Sequence, residues 1–219
     1  MQMFFLMRLN NSNMRSLILI TLVFTTIAGC AVLGGKKWSE VNGRILEETE
    51  DEPIADAIIV ALWKGQQTHN NGNREIDESV CYHVETAVSD NKGGFAISPW
   101  REPGKYGPLK NKTIHLVAFK SGYRTSELTA TIYTGKRYVY YLADINYTDS
   151  EEARKKRLKH LQLLIGKTSC DLKGNSKTNL RPLYEAIVAD AKSIAITNED
   201  DAVVKRLQTW ESFVKDNNE

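Results

Sequence analysis

Ala57-Ile58-Ile59-Val60-Ala61-Leu62-Trp63-Lys64 is the stretch on which the fold turns. It is rich in β-branched and aromatic residues, with the turn cluster Asp51-Glu52-Pro53 before it and a polar segment after it, so it reads as a strand. Successive side chains of a strand point to opposite faces. Ala57, Ile59, Ala61 and Trp63 therefore share one face, and Ile58, Val60 and Leu62 share the other. Both faces are apolar, and a strand apolar on both faces is buried on both. One face belongs to a core between sheets. Another part of the chain must cover the second.

Outward from this strand, short β-prone runs alternate with turn signals across residues 40–47, 80–89, 95–98, 113–120, 126–133 and 137–142. Polar or Pro/Gly-rich loops are expected at 65–78 and 99–112. About seven short strands so punctuated predict a β-sandwich. From about Thr148 the apolar period becomes helical. Helices are predicted over 151–165, 179–195 and 198–214. The second carries the stripe Leu180, Leu183, Tyr184, Ile187, Ala191 and Ile194; the third carries Val203, Leu207, Trp210 and Val214, capped by Thr197 or Asn198. These stripes are the natural cover for Ile58, Val60 and Leu62. The expected class is mainly β with α: a seven-stranded sandwich followed by about three helices packed on it.

Four motifs sharpen the β region. They are Val41-x-Gly43-Arg44-Ile45, Pro53-Ile54-x-x-Ala57-x-Ile59, Ser89-Asp90-x-x-Gly93-x-Phe95-x-Ile97 and Lys120-Ser121-Gly122-Tyr123. In this order they resemble the carboxypeptidase regulatory-like domain, a transthyretin-like β-sandwich, over about Trp38 to Ala143. Ser89 stands where that pattern usually has Thr. The resemblance implies a supporting or binding module without catalysis. Independently, Gly93 suits the positive φ of a tight turn, and Asp90 can accept from turn amides.

The N-terminus has a different character. Arg15 precedes an apolar run from Leu17 to Ile27, which closes on Ile27-Ala28-Gly29-Cys30. A basic start, a short apolar core and small residues before a cut site form a secretory signal. With cysteine directly after the cut it resembles a bacterial lipobox, which implies a mature chain beginning at an acylated Cys30. Met14-Arg15-Ser16 makes a better start for such a signal than Met1, and both starts stay open. Residues 1–29 are then signal, 30–37 a tether, 38–146 the sandwich and 147–219 the helical segment. By the same resemblance, Ala31 directs the protein to the outer membrane, facing the periplasm.

Among 219 residues, 29 basic and 27 acidic side chains nearly cancel, so a dedicated nucleic-acid binder is not expected. With Cys30 lipidated, Cys81 and Cys170 remain. Cysteines of exported proteins usually pair, and a disulfide is expected; two free thiols are the alternative. Alternation along residues 81–88 sets Cys81, His83 and Glu85 on one face and Tyr82, Val84 and Thr86 on the other. Cys81 could thus meet Cys170 on a docked helical segment.

The same trio, Cys81, His83 and Glu85, is the nearest approach to a nucleophile or metal constellation. A disulfide would consume its thiol, and the four histidines are scattered, so neither a metal nor a cofactor is expected. Tyr138, Tyr140 and Tyr141 read as strand aromatics. The run Arg154-Lys155-Lys156-Arg157-x-Lys159-His160 suits anionic head groups or cell-wall polymer, but it also has the spacing of a solvated helix face paired through Glu151–Lys155 and Glu152–Lys156. Trp100 and Tyr106 make 99–112 the candidate binding loop. The expected function is non-catalytic binding of an envelope protein or cell-wall partner. The alternative is an envelope enzyme with its site in the long loops.

Overall fold

The computed structural model describes residues 36–70, 72, 75–102, 109–125, 137–144, 150–170 and 175–215. They fall in two compact units. The smaller contributes residues 36–37 and 101–102, where the Glu102 amide donates to the Lys36 carbonyl. The larger holds Trp38–Trp100 and the described residues from 109 onward.

In chain order the strands are β1 (Lys37–Trp38), β2 (Val41–Glu47), β3 (Ile58–Asn70), β4 (Glu75–Val88), β5 (Gly94–Ile97), β6 (Trp100–Arg101), β7 (Lys110–Phe119), β8 (Tyr123–Thr125) and β9 (Arg137–Asp144). The helices are α1 (Glu151–Thr168), α2 (Asn175–Ile194) and α3 (Asn198–Lys215). β1 pairs with β6 in a small two-stranded sheet; of the two larger sheets, the first has the order β5-β2-β9-β8 and the second β4-β3-β7. In the first, β2 runs antiparallel to β5 and parallel to β9. In the second, β3 is antiparallel to both neighbours. The described residues are thus β-rich with three helices. The strand expected at 126–133 lies outside the described residues.

The two sheets share one core. Val41, Ile45, Phe95, Ile97, Tyr140 and Leu142 of the first meet Ala57, Ile59, Ala61, Trp63, Tyr82 and Ala118 of the second. The opposite face of the second sheet carries Val60, Leu62, Val84, Val117 and Phe119, which join a separate cluster with Leu161 of α1, Leu183 and Ile187 of α2 and Leu207 of α3. The apolar face that the sequence left bare is therefore covered by the helices. Each such side chain contributes about 1.5–3 kcal/mol on burial, before conformational entropy. Trp210 departs from its predicted stripe: it is 41% exposed, at the margin of the buried face.

A buried ion pair fastens this interface. Arg157 of α1 and Asp190 of α2 have side chains only 1% and 3% exposed. Arg157 Nη2 donates to Asp190 Oδ2 at 2.6 Å and Nε to the same oxygen at 3.1 Å. Arg157 Nη1 donates to the Tyr123 carbonyl, and the Ser121 hydroxyl donates to Asp190 Oδ1 at 2.9 Å. The β7–β8 turn is thereby tied to two helices. At the start of α3, the Thr197 hydroxyl accepts from the Asp200 amide and Asp200 Oδ2 accepts from the Thr197 amide, a reciprocal cap.

Two expectations are corrected. Residues 65–78 are largely strand: Gln67↔Glu78, Thr68↔Asp77, His69↔Ile76 and Asn70↔Glu75 pair as an extension of the β3–β4 hairpin. A two-stranded arm has no buried face to impose apolar alternation. Cross-strand polar pairs support it instead, such as Thr68 Oγ1 to Asp77 at 2.7 Å. The second correction concerns β4. Its register shifts between Trp63↔His83 and Lys64↔Cys81, leaving Tyr82 as an extra residue. Such a bulge reverses the alternation. Cys81 packs on the helical side with Val84, whereas Tyr82 belongs to the core between the sheets.

Candidate functional site

The β4 bulge organises an aromatic cluster at one end of the core between the two larger sheets. Because Tyr82 is an extra residue, His83 falls opposite Trp63. The His83 ring stacks on Trp100 with centroids 3.6 Å apart and planes at 24°. Trp63 lies edge-on to Trp100 at 5.5 Å and to Trp38 at 6.3 Å. Trp63 is fully buried and Trp100 half-buried. His83 Nε2 lies 3.1 Å from Glu85 Oε1. The bulge separates the trio read from alternation: Cys81 faces the helices, while His83 joins the indoles. Tyr106 lies outside the described residues.

Cys81 and Cys170 form a disulfide with Cα atoms 5.0 Å apart. It joins β4 to the segment after α1, and a small cavity of about 170 Å³ beside it is lined by Lys64, Glu78 and Ser169. Cys30 lies outside the described residues.

A broader open groove of about 760 Å³ runs along β2 and β5, lined by Glu40, Asn42, Arg44, Asp90, Lys92 and Ala96 among others. Its geometry follows from the turn at 90–94. Asp90 Oδ1 accepts from the Lys92 and Gly94 amides, each at 2.8 Å. The Gly94 amide and then the Lys92 amide hold the Asp90 carboxyl below its usual value. Gly93 has φ +71°, and a Cβ there would stand 2.3 Å from the Ile45 carbonyl oxygen, so the position demands glycine. The Arg44 guanidinium donates to the Lys92 carbonyl at 3.1 Å. Ser89 is buried, donating to the Ile54 carbonyl and accepting from the Ala57 amide. Most polar groups of this motif therefore hold the turn.

The basic run is divided by the tertiary structure. Arg154 pairs with Asp200 at 2.8 Å, Lys155 with Glu151 and Glu199, and Arg157 with Asp190. Lys156 and Lys159 remain solvent-exposed. His160 is held down to about 4 by burial first, then by Arg157, Lys167 and Arg124. Burial alone would raise Asp200, but the Ile196 and Thr197 amides, the Thr197 side chain and Arg154 outweigh it and hold the carboxyl at about 2. Sequence reasoning missed Asp190 and Asp200 as the partners of this run. Each stands at helical spacing from the apolar stripe of its helix, Asp190 beside Ile187 and Asp200 in line with Val203 and Leu207, a signal that a carboxylate is buried there, but its partner is revealed only by packing.

Among the described residues, no group of three His, Cys, Asp or Glu side chains is placed to hold a metal, and no helix is long and apolar enough to cross a membrane. What the described residues define is a β-rich fold in which two larger sheets share a core and a cluster of helices covers the second of them. No protein-family model and no curated protein matches the chain. Among solved structures it is similar to a 9R-lipoxygenase from Cyanothece PCC8801, with 12% identity and a TM-score of 0.26. The match covers 70% of this chain and 26% of that one, so the chain spans about a quarter of that structure's length. A likeness this loose carries no argument.

Proposed function

We propose that the chain is a cell-envelope lipoprotein, anchored through lipid on Cys30, whose transthyretin-like β-sandwich and docked helices form a non-catalytic binding or structural module. The observation that carries this reading is Ile27-Ala28-Gly29-Cys30 at the end of the apolar run from Leu17. The Cys81–Cys170 disulfide supports it, since structural disulfides persist in oxidising compartments. The two sheets, four strands and three around one core, are compatible with the resemblance carried by the Gly43, Ala57, Asp90 and Gly122 motifs. The module reading draws on how the charged groups are used. Arg157, Asp190, Arg154 and Asp200 hold helices to each other and to the sheet instead of converging on a cavity.

The test is Cys30→Ser, followed by fatty-acid labelling and fractionation of the envelope. A single acyl chain binds membranes only marginally and two or more anchor stably, so the variant should lose label and leave the membrane fraction or persist uncut. A variant that is processed, labelled and sedimented like the parent overturns the reading.

A further inference from the structure

We propose that the solvent face of α1, formed by Lys156, Lys159, Leu163 and Lys167, docks on the anionic lipid head groups of the bilayer to which the chain is tethered. For the nearness of that bilayer alone, the inference rests on the lipid anchor at Cys30. From Cys30 to Lys36 the chain reaches about 22 Å at full extension, at roughly 3.6 Å per residue, so the folded part stays within reach of the surface.

These four residues recur at helical spacing on one side of α1. The other side is committed to the core through Leu158, Leu161, Leu164 and Ile165. The remaining cations of the basic run have partners, as described above. Lys156, Lys159 and Lys167 are exposed, and no ion pair engages them among the described residues. Leu163 is 54% exposed, one turn from Lys159 on one side and Lys167 on the other. An apolar side chain between flexible cations suits a headgroup layer: the leucine enters the boundary, and lysine stems lie along it with their ammonium groups among phosphates. Lysine is a point charge without the bidentate geometry of arginine, and so fits a diffuse array of phosphates better than one shaped pocket. Exposed Arg124 of β8 adds to the positive field, and Glu152, one turn before Lys156, opposes it.

The experiment uses the mature chain carrying Cys30→Ser, so that no acyl group contributes, and measures flotation with phosphatidylglycerol-containing vesicles and with pure phosphatidylcholine vesicles. Binding should require the anionic lipid and fall at high salt. Each lysine near an anionic surface is worth about fivefold, so K156Q/K159Q/K167Q should weaken binding roughly a hundredfold. Its thermal melt should stay unchanged, because the three side chains lie in solvent. Leu163→Ala should weaken binding further by a smaller factor. Equal binding of parent and triple variant, or equal binding to both vesicle types, overturns the proposal. Retention of the parent by soluble polyphosphate but not by phosphatidylglycerol vesicles also overturns it, in favour of an anionic polymer. Failure of acylation at Cys30 would leave this measurement standing, so the two readings fail separately.

Discussion

Asp190→Ala is the sharpest probe of how the helices are held to the sheet. The substitution removes both hydrogen bonds from Arg157 to Oδ2 and the acceptor of the Ser121 hydroxyl. The guanidinium stays buried, and among the described residues it faces the Tyr123 carbonyl and the Phe119 ring, whose centroid is 5.9 Å away. Stranding a buried charge costs about 3–5 kcal/mol, and the orphaned hydroxyl adds up to about 1 kcal/mol. Domains are typically stable by only about 5–15 kcal/mol, so the loss is a large part of the whole. At about 2–4 °C per kcal/mol for a chain of this size, the melting temperature should fall by roughly 10 °C or more. Urea unfolding followed by circular dichroism supplies the free energy and tests two-state behaviour. Removing both charges, as Arg157→Met with Asp190→Leu, should recover most of the loss, because no ion is then left in the interior. A single variant within about 1 kcal/mol of the parent would refute the reasoning. So would a double variant no more stable than the single one.

The Cys81–Cys170 bridge spans 89 residues of sequence, and in the chain-entropy model removing it by Cys81→Ser with Cys170→Ser costs about 4–5 kcal/mol; an unreduced digest without the cross-linked peptide, or an unchanged melt, contradicts this. His160 has a folded pKa of about 4, below the ordinary histidine value of 6.5, so the unfolded chain takes a proton first and stability should decline as pH falls from about 6.5 to 4. His160→Gln should flatten that part of the pH–stability curve, and an unchanged slope would dismiss His160 as its source. Ending the chain at residue 146 should bare Val60, Leu62, Val84, Val117 and Phe119 and cause self-association; a monomer with the melting temperature of the full mature chain would show that the helices add no stability to the sheets.

The β3 strand was legible because its pattern is local. Seven consecutive apolar residues can satisfy a strand only if both faces are buried, and both are. The turn at 90–94 was legible for a similar reason, since one aspartate and one glycine supply the acceptor and the positive φ that it requires. The β3–β4 arm was not legible. Its residues alternate polar with polar, and strand pairing there is decided by the register carried upward from the apolar half of the hairpin.

The sequence by itself determined the class of the fold, the apolar stripe of α2 and that of α3 apart from Trp210, the need for a cover over Ile58, Val60 and Leu62, and the expectation that Cys81 meets Cys170. Only the tertiary structure decided which face each β4 side chain takes. Alternation predicts faces as long as one residue opposes one residue, and the extra Tyr82 breaks that count, sending His83 to the indoles and leaving Cys81 beside Val84. It likewise decided which cations of α1 are used inside the protein. Arg154 and Arg157 meet their carboxylates 46 and 33 residues away in the chain. Such pairings arise from helix packing, to which a local reading of charge spacing has no access.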